Sequence, residues 1–92
     1  MAVIMTAEIA GADASFIEGM RAAGAVDALE KAPGFVSHIS GAASSGYRVI
    51  EVWKSREDHR AWYDDHIVPN LPPGVESVPF EYIDLLLAVP ES

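Results

Sequence analysis

Hydrophobic positions along the chain predict four strands and two helices in the order β-α-β-β-α-β. Short apolar runs rich in β-branched and aromatic residues are typical of strands, and they occur at Ala2–Ile9, Phe35–Ala42, Tyr47–Lys54 and Val78–Val89. Between the first two runs, apolar residues recur every three to four positions from Phe16 to Leu29, which is the spacing of an amphipathic helix. A second helix is expected between Ser55 and Pro69.

Residues that begin and end helices support these boundaries. Ser15 and Glu18 form a Ser-x-x-Glu capping box at the start of the first helix, and Pro33-Gly34 ends it. Ser55 is expected to cap the second helix. Turn residues at Ser44-Ser45-Gly46 predict a hairpin between strands 2 and 3, and Pro72-Pro73-Gly74 predicts a loop over residues 70–76.

This element order predicts one α+β domain over residues 1–92, a ferredoxin-like four-stranded antiparallel sheet with both helices on one face. A sheet with one face in solvent alternates apolar and polar residues along each strand. This alternation is absent in strand 3 around Val49 and Ile50 and in strand 4 from Leu85 to Val89. Because helices cover only one face, we expect the other face to meet a second copy in an isologous homodimer. A monomer with a long apolar edge strand remains the alternative.

Composition narrows the possible partners and the location. The chain has 6 Lys and Arg against 14 Asp and Glu, a net charge of -8, which disfavours nucleic acid and anionic membranes. It has no cysteine, which excludes disulfides and thiolate chemistry. Residues 1–14 do not resemble a signal peptide, and no apolar run approaches the roughly 20 residues needed to cross a bilayer. A cytoplasmic protein is expected.

The candidate catalytic residues lie on the second helix. At about 100° per residue, one arc of this helix collects two histidines and three apolar or aromatic residues. These are His59, Trp62, Tyr63, His66 and Ile67. Aromatic rings with a few polar groups are typical of a site for a flat small molecule, so His59 and His66 are the catalytic candidates. The alternative is that both histidines are structural.

Strand residues supply the remaining candidates. Glu51 shares a face of strand 3 with Tyr47 and Trp53. A carboxylate among apolar neighbours could orient a histidine or act as a general acid. The alternative is a carboxylate near a sheet edge, paired with Arg48 or hydrated, which is favoured more for Glu51 than for Asp84. Tyr82 and Asp84 share a face of strand 4, whereas the face of His38 cannot be assigned. The candidate pocket residues are His38, Trp53, Trp62, Tyr63, Tyr82 and Asp84. The His59 to His66 spacing matches no familiar ligand pattern and no cofactor motif is present, so no metal or cofactor is expected.

Three motifs carry a resemblance to a known family. They are Gly34-Phe35-Val36, Val52-Trp53-Lys54-Ser55 and Ala61-Trp62. In this pattern the chain resembles the dimeric α/β-barrel superfamily, within it the antibiotic-biosynthesis-monooxygenase-like group. The resemblance implies a pocket between sheet and helices in each protomer. Haem-degrading members are similar at Trp53, Ser55 and Trp62, but their iron-ligating histidine lies near the position of Pro72-Pro73 here, so the haem branch fits poorly.

The leading hypothesis is therefore a cofactor-independent monooxygenase acting on an aromatic or polyketide-like small molecule. A polyketide cyclase or isomerase would use the same pocket without oxygen. A non-enzymatic dimeric domain that binds small molecules or is associated with stress is the third possibility. RNA binding, suggested by βαββαβ order alone, is disfavoured by the acidic charge and the lack of a basic-aromatic strand motif.

Overall fold

Four strands and three helices form in the computed structural model, which describes residues 1–11, 14–44, 46–71, 74 and 78–90; within these ranges it leaves the side chains of residues 14, 16 and 17 undescribed. The elements are β1 (Val3–Ala10), α1 (Ala14–Ala22), α2 (Ala25–Glu30), β2 (Phe35–Ala43), β3 (Gly46–Trp53), α3 (Arg56–Trp62) and β4 (Phe80–Asp84). The predicted turn at Ser45 and most of the predicted loop, including Pro72 and Pro73, lie outside the described residues.

The strands form one antiparallel sheet in the order β2-β3-β1-β4. Strand β1 is central, with Val3 opposite Trp53 on one side and Asp84 on the other. The hairpin of β2 and β3 keeps a regular register from Ser37 onward, after a bulge between Phe35 and Ser37. This is the predicted ferredoxin-like α+β fold.

The first predicted helix is divided into two. Gly24 has a φ of 82° and separates α1 from α2, because glycine adopts this left-handed conformation at little cost. Helix α1 already includes Ala14, so Ser15 lies inside the helix and the prediction that it caps the helix was wrong. No helix within the described ranges is both long and apolar enough to cross a bilayer.

The core lies between the helices and one face of the sheet. Val3 and Met5 of β1 pack with Trp53 of β3 and Trp62 of α3, and all four are buried. Partly buried side chains of α2, Ala28 and Leu29 among them, pack against this cluster. Alternation along each strand therefore directs one set of side chains to the helices and the other set away from them.

The opposite face of the sheet exposes isoleucines beside charged side chains such as Glu8, Arg48 and Glu81. Ile39, Ile50 and Ile83 lie on it, with 66%, 36% and 45% of their surface accessible. Predicted strand Val78–Val89 is shorter in the structure, where β4 covers only Phe80–Asp84. It ends there because antiparallel β1 begins at Val3, the partner of Asp84, and leaves no further strand to pair with.

Candidate functional site

Helix α3 places the aromatic side chains of the candidate site. The Ser55 hydroxyl accepts a hydrogen bond from the Asp58 backbone N–H at 3.1 Å, as the capping motif predicted. Glu57 and Asp58 in the first turn suit the positive end of the helix dipole. From this start, His59 and Trp62 face the core and are buried.

A π-helical turn, Tyr63–Ile67, follows α3 directly. A π turn holds more residues than an α turn, so residues after Tyr63 no longer follow the 100° per residue on which the predicted arc was based. His59, Trp62 and Tyr63 are buried as predicted, whereas His66 is exposed and stacks on the Trp62 ring at 4.4 Å and 23°. The two candidate histidines therefore belong to different surroundings.

A groove of about 390 Å³ runs between α2 and α3 and ends at His66. The side chains that line it are Ala28, Lys31, Ala32, Pro33, Asp58, Ala61, Trp62, Asp65 and His66. The lining combines apolar side chains with three charged ones, Lys31, Asp58 and Asp65, and the size of the groove is within the range of small-molecule sites. Ala28 of α2 and Ala32, which follows the end of that helix, were not identified from the sequence, although short side chains opposite an aromatic residue favour an open groove.

A second group of polar side chains lies inside the sheet–helix layer and centres on Glu51. The Trp53 indole N–H donates to Glu51 Oε1 at 2.9 Å, and His38 Nδ1 lies 2.7 Å from Oε2. His59 Nε2 is 4.0 Å from Oε1, and His59 Nδ1 is 2.8 Å from the Tyr82 hydroxyl. Of the two alternatives for Glu51, the structure shows the carboxylate beside histidines: Glu51 is 5% exposed, and Arg48 pairs with Glu8.

The chain of contacts continues to the edge of the sheet. His38 Nε2 lies 3.1 Å from the Ser40 hydroxyl, which lies 2.7 Å from the Tyr47 hydroxyl. His38 therefore points toward the helices, which the sequence left unassigned. Ser40 and Tyr47 were not predicted as site residues, although both lie at alternate positions on the Glu51 face, where side chains of neighbouring strands meet.

Burial governs the charge states of two of these groups. Desolvation lowers the pKa of His59 below its usual 6.5, and the neighbouring Glu51 carboxylate opposes this shift only in part. Desolvation also raises the pKa of Tyr82 above its usual 10.0. His59 is therefore a neutral imidazole and Tyr82 a neutral phenol near pH 7, as a hydroxyl-to-nitrogen hydrogen bond requires.

Other candidates from the sequence have less central positions. Asp84 is exposed on β4 and lies 3.6 Å from Arg56, so it does not join the Glu51 group. The Tyr63 hydroxyl accepts a hydrogen bond from the Val78 N–H at 2.9 Å, which ties the π-helical turn to the segment before β4. Within the described residues, no group of three or more histidine, aspartate or glutamate side chains is arranged to hold a metal ion.

Fold comparison shows which solved structures share this architecture. The sheet order and the helix-covered face give a ferredoxin-like α+β fold, which is the fold of the solved structures that this chain resembles. No protein-family model and no curated protein matches the sequence.

Two groups of solved structures share this fold. The heme-degrading protein MhuD of Mycobacterium tuberculosis is 24% identical, with 96% of this chain and 98% of that chain covered and a TM-score of 0.59. A MhuD variant with two manganese protoporphyrin IX molecules per active site is 21% identical, with 96% and 97% covered and a TM-score of 0.62. SnoaB, a cofactor-independent oxygenase from Streptomyces nogalater, is 16% identical, with 98% and 97% covered and a TM-score of 0.58. At identities below 25%, the structural likeness to these proteins establishes a shared fold.

Proposed function

We propose that the protein is a cofactor-independent monooxygenase that binds a flat aromatic or polyketide-like molecule in the groove between α2 and α3. The observation that carries the proposal is the stacked Trp62–His66 pair, which puts an exposed base beside an aromatic ring in a groove of small-molecule size. The fold shared with SnoaB, an oxygenase described as cofactor-independent, supports the same chemistry.

In the proposed reaction the substrate supplies all the electrons. His66 takes a proton from a ring CH₂ group acidified by a neighbouring phenol or carbonyl, and the carbanion adds oxygen to form a C–O bond. His66 returns the proton to the peroxide, and loss of water leaves a carbonyl. The balance is CH₂ plus O₂ to C=O plus H₂O, so the four electrons that reduce oxygen come from the substrate carbon. Trp62 stacks on the ring and excludes water.

Haem is the other ligand that the fold comparison brings into view, since MhuD is a heme-degrading protein. The groove fits it poorly. Haem carries two anionic propionates, and the rim offers one cation, Lys31, beside the carboxylates Asp58 and Asp65. The one exposed histidine at the groove, His66, is held flat against Trp62.

The active form is proposed to be a homodimer. Ile39, Ile50 and Ile83 expose apolar surface on the sheet face that no helix covers, and Leu86 and Leu87 beyond β4 are 92% and 79% exposed. Contiguous apolar surface of this kind marks an interface, and a second copy of the same face is the simplest cover. An aqueous, cytoplasmic location is proposed with it.

Oxygen uptake tests the function. Purified protein with a chelator and no flavin should consume one O₂ per molecule of an anthrone- or quinol-type substrate. His66→Gln should lower kcat by about 10²-fold or more, the contribution typical of a general base. Glu57→Gln, an exposed change on the same helix, is the matched control and should retain the rate.

Three results would contradict the proposal in different ways. If the protein consumes no oxygen with any anthrone- or quinol-type compound tested, the oxygenase proposal is wrong. Turnover that continues under strict anaerobiosis would identify a cyclase or isomerase instead. A hemin titration that produces a sharp, stoichiometric Soret shift abolished by His66→Gln would favour haem as the ligand.

A further inference from the structure

The Glu51 group lies outside the groove and has no part in the proposed reaction. Glu51 and His59 are 5% and 2% exposed, yet both are polar and ionisable. Every buried side-chain nitrogen and oxygen among the described residues has a hydrogen-bond partner. A fully satisfied buried polar network fixes the position of each of its protons, because each partner must be either a donor or an acceptor.

The proton positions on the β2 side follow from Glu51. The Trp53 indole can only donate, so Glu51 Oε1 accepts from it. An ionised carboxylate can only accept, so His38 carries its proton on Nδ1, the nitrogen 2.7 Å from Oε2. Neutral His38 then accepts at Nε2 from the Ser40 hydroxyl, and Ser40 accepts from Tyr47.

The same reasoning applies on the α3 side. His59 Nε2 faces Glu51 Oε1 at 4.0 Å, a charge contact longer than a hydrogen bond, and a proton on Nε2 is stabilised by the carboxylate. Neutral His59 then accepts at Nδ1 from the Tyr82 hydroxyl at 2.8 Å. Each hydroxyl of the group therefore donates toward the next residue along the chain of contacts that leads to Glu51, and each histidine turns its N–H toward that carboxylate.

We propose that Glu51 is a positioning residue that fixes the tautomers of both histidines, and that His38 and His59 share one additional proton between them. The additional proton resides on the outward nitrogen of either ring, Nε2 of His38 or Nδ1 of His59. One carboxylate neutralises one imidazolium, whereas two imidazoliums around it would leave an uncompensated positive charge in the interior. Protonation of one ring therefore opposes protonation of the other.

Other charges around His59 do not provide this coupling. Tyr82 faces it as a neutral phenol and the Tyr63 ring lies beside it, and Arg60 and Asp64, which lie 3.4 Å from each other, act on it with opposite signs. On the β2 side, His38 meets only Ser40 and Glu51 in the described structure. The coupling thus passes through Glu51.

Nuclear magnetic resonance of ¹⁵N-histidine-labelled protein tests the proposal without substrate, so its outcome is separate from that of the oxygenase assay. At pH 8, two-bond nitrogen–proton correlations should show Nδ1–H for His38 and Nε2–H for His59. Across an acid titration, His38→Gln should move the midpoint of His59 upward, because Glu51 then keeps its full charge for His59. Glu51→Gln should move the same midpoint downward, and the exposed change Glu81→Gln should leave it in place.

Two findings would overturn the proposal. One is the opposite tautomer at either histidine in the unmodified protein. The other is a His59 midpoint that does not respond to His38→Gln, a variant at a half-buried position that spares the core. If Glu51→Gln fails to fold, the tautomers of the unmodified protein and the His38→Gln titration still decide the matter.

Discussion

At the scale of single residues, the burial of His59 connects the core to pH. Its pKa is lowered mainly by desolvation, so the folded protein binds a proton at this site less readily than the unfolded chain. In the window just below the unfolded value of 6.5, the unfolded state holds more protons. The contribution of His59 to stability is therefore complete above pH 6.5 and is lost as the pH falls below it.

This linkage predicts that the free energy of unfolding decreases between pH 7.5 and pH 5.5, with a slope from this residue of at most about 1.4 kcal/mol per pH unit. Urea titrations across the window measure the slope. His59→Gln should reduce the slope of the unfolding free energy with pH. His66→Gln, which changes an exposed histidine seven residues further along the chain, is the control and should preserve the slope. Equal slopes in His59→Gln and the unmodified protein would contradict the prediction.

The sequence predicted which residues share a face but not how they connect. Alternation put Tyr47, Glu51 and Trp53 together, and the structure places all three on the helix side. The decisive contacts join residues far apart in the chain, 13 positions from His38 to Glu51 and 23 from His59 to Tyr82. Periodicity is a local property, so it could not show that Glu51 meets two histidines rather than Arg48.

At the scale of elements, the junction between α2 and β2 depends on one glycine. Gly34 has a φ of 80°, a conformation that favours glycine, and a Cβ placed on it would overlap the side chain of Asp58 at the start of α3. Its carbonyl also accepts a hydrogen bond from the Lys54 N–H at 2.8 Å. The turn therefore brings the first residue of β2 and the first turn of α3 together.

Two glycine substitutions should have opposite effects on stability. Gly34→Ala should cost roughly 2 kcal/mol or more, because strain at a positive φ adds to the steric overlap with Asp58. Gly19→Ala should gain up to about 1 kcal/mol, since Gly19 lies inside α1 with open space around its Cβ position. Thermal unfolding of the two variants provides the comparison, and a Gly34→Ala protein as stable as the parent would refute the close packing.

The start of α3 was predicted well because a side chain caps it, whereas the boundaries that tertiary contacts set were predicted poorly. Ser55 caps α3 through a local hydrogen bond that its sequence motif encodes. The end of β4 at Asp84 instead depends on where β1 begins, and the π-helical turn after Trp62 interrupts a pattern that looks continuous. The spacing of apolar residues along one segment shows neither where β4 ends nor where the π-helical turn begins.

At the scale of the whole molecule, the sheet has one face covered by helices and one that none of the described helices covers. Trp53 and Val3 on the covered face are fully buried, whereas Ile50, at the centre of the other face, keeps 36% of its surface exposed. A domain of this size buries only about two-thirds of its unfolded surface, so covering the second face contributes stability that the single core lacks. The homodimer is thus a thermodynamic expectation as well as a geometric one.

Charge placed on that face should separate the protomers. Ile50→Lys would put two lysines into an isologous interface, one from each copy, and the desolvated charges should raise the dimer dissociation constant by roughly 100-fold or more. The matched control is Val26→Lys, which introduces a lysine on α2 at a position with the same exposed fraction, 36%, and should leave the dimer intact. Sedimentation velocity over a range of protein concentrations distinguishes the two. If the unmodified protein stays monomeric at several hundred micromolar, the isoleucines are not buried between two copies and the homodimer is wrong. This face of the sheet would then meet solvent or a different partner.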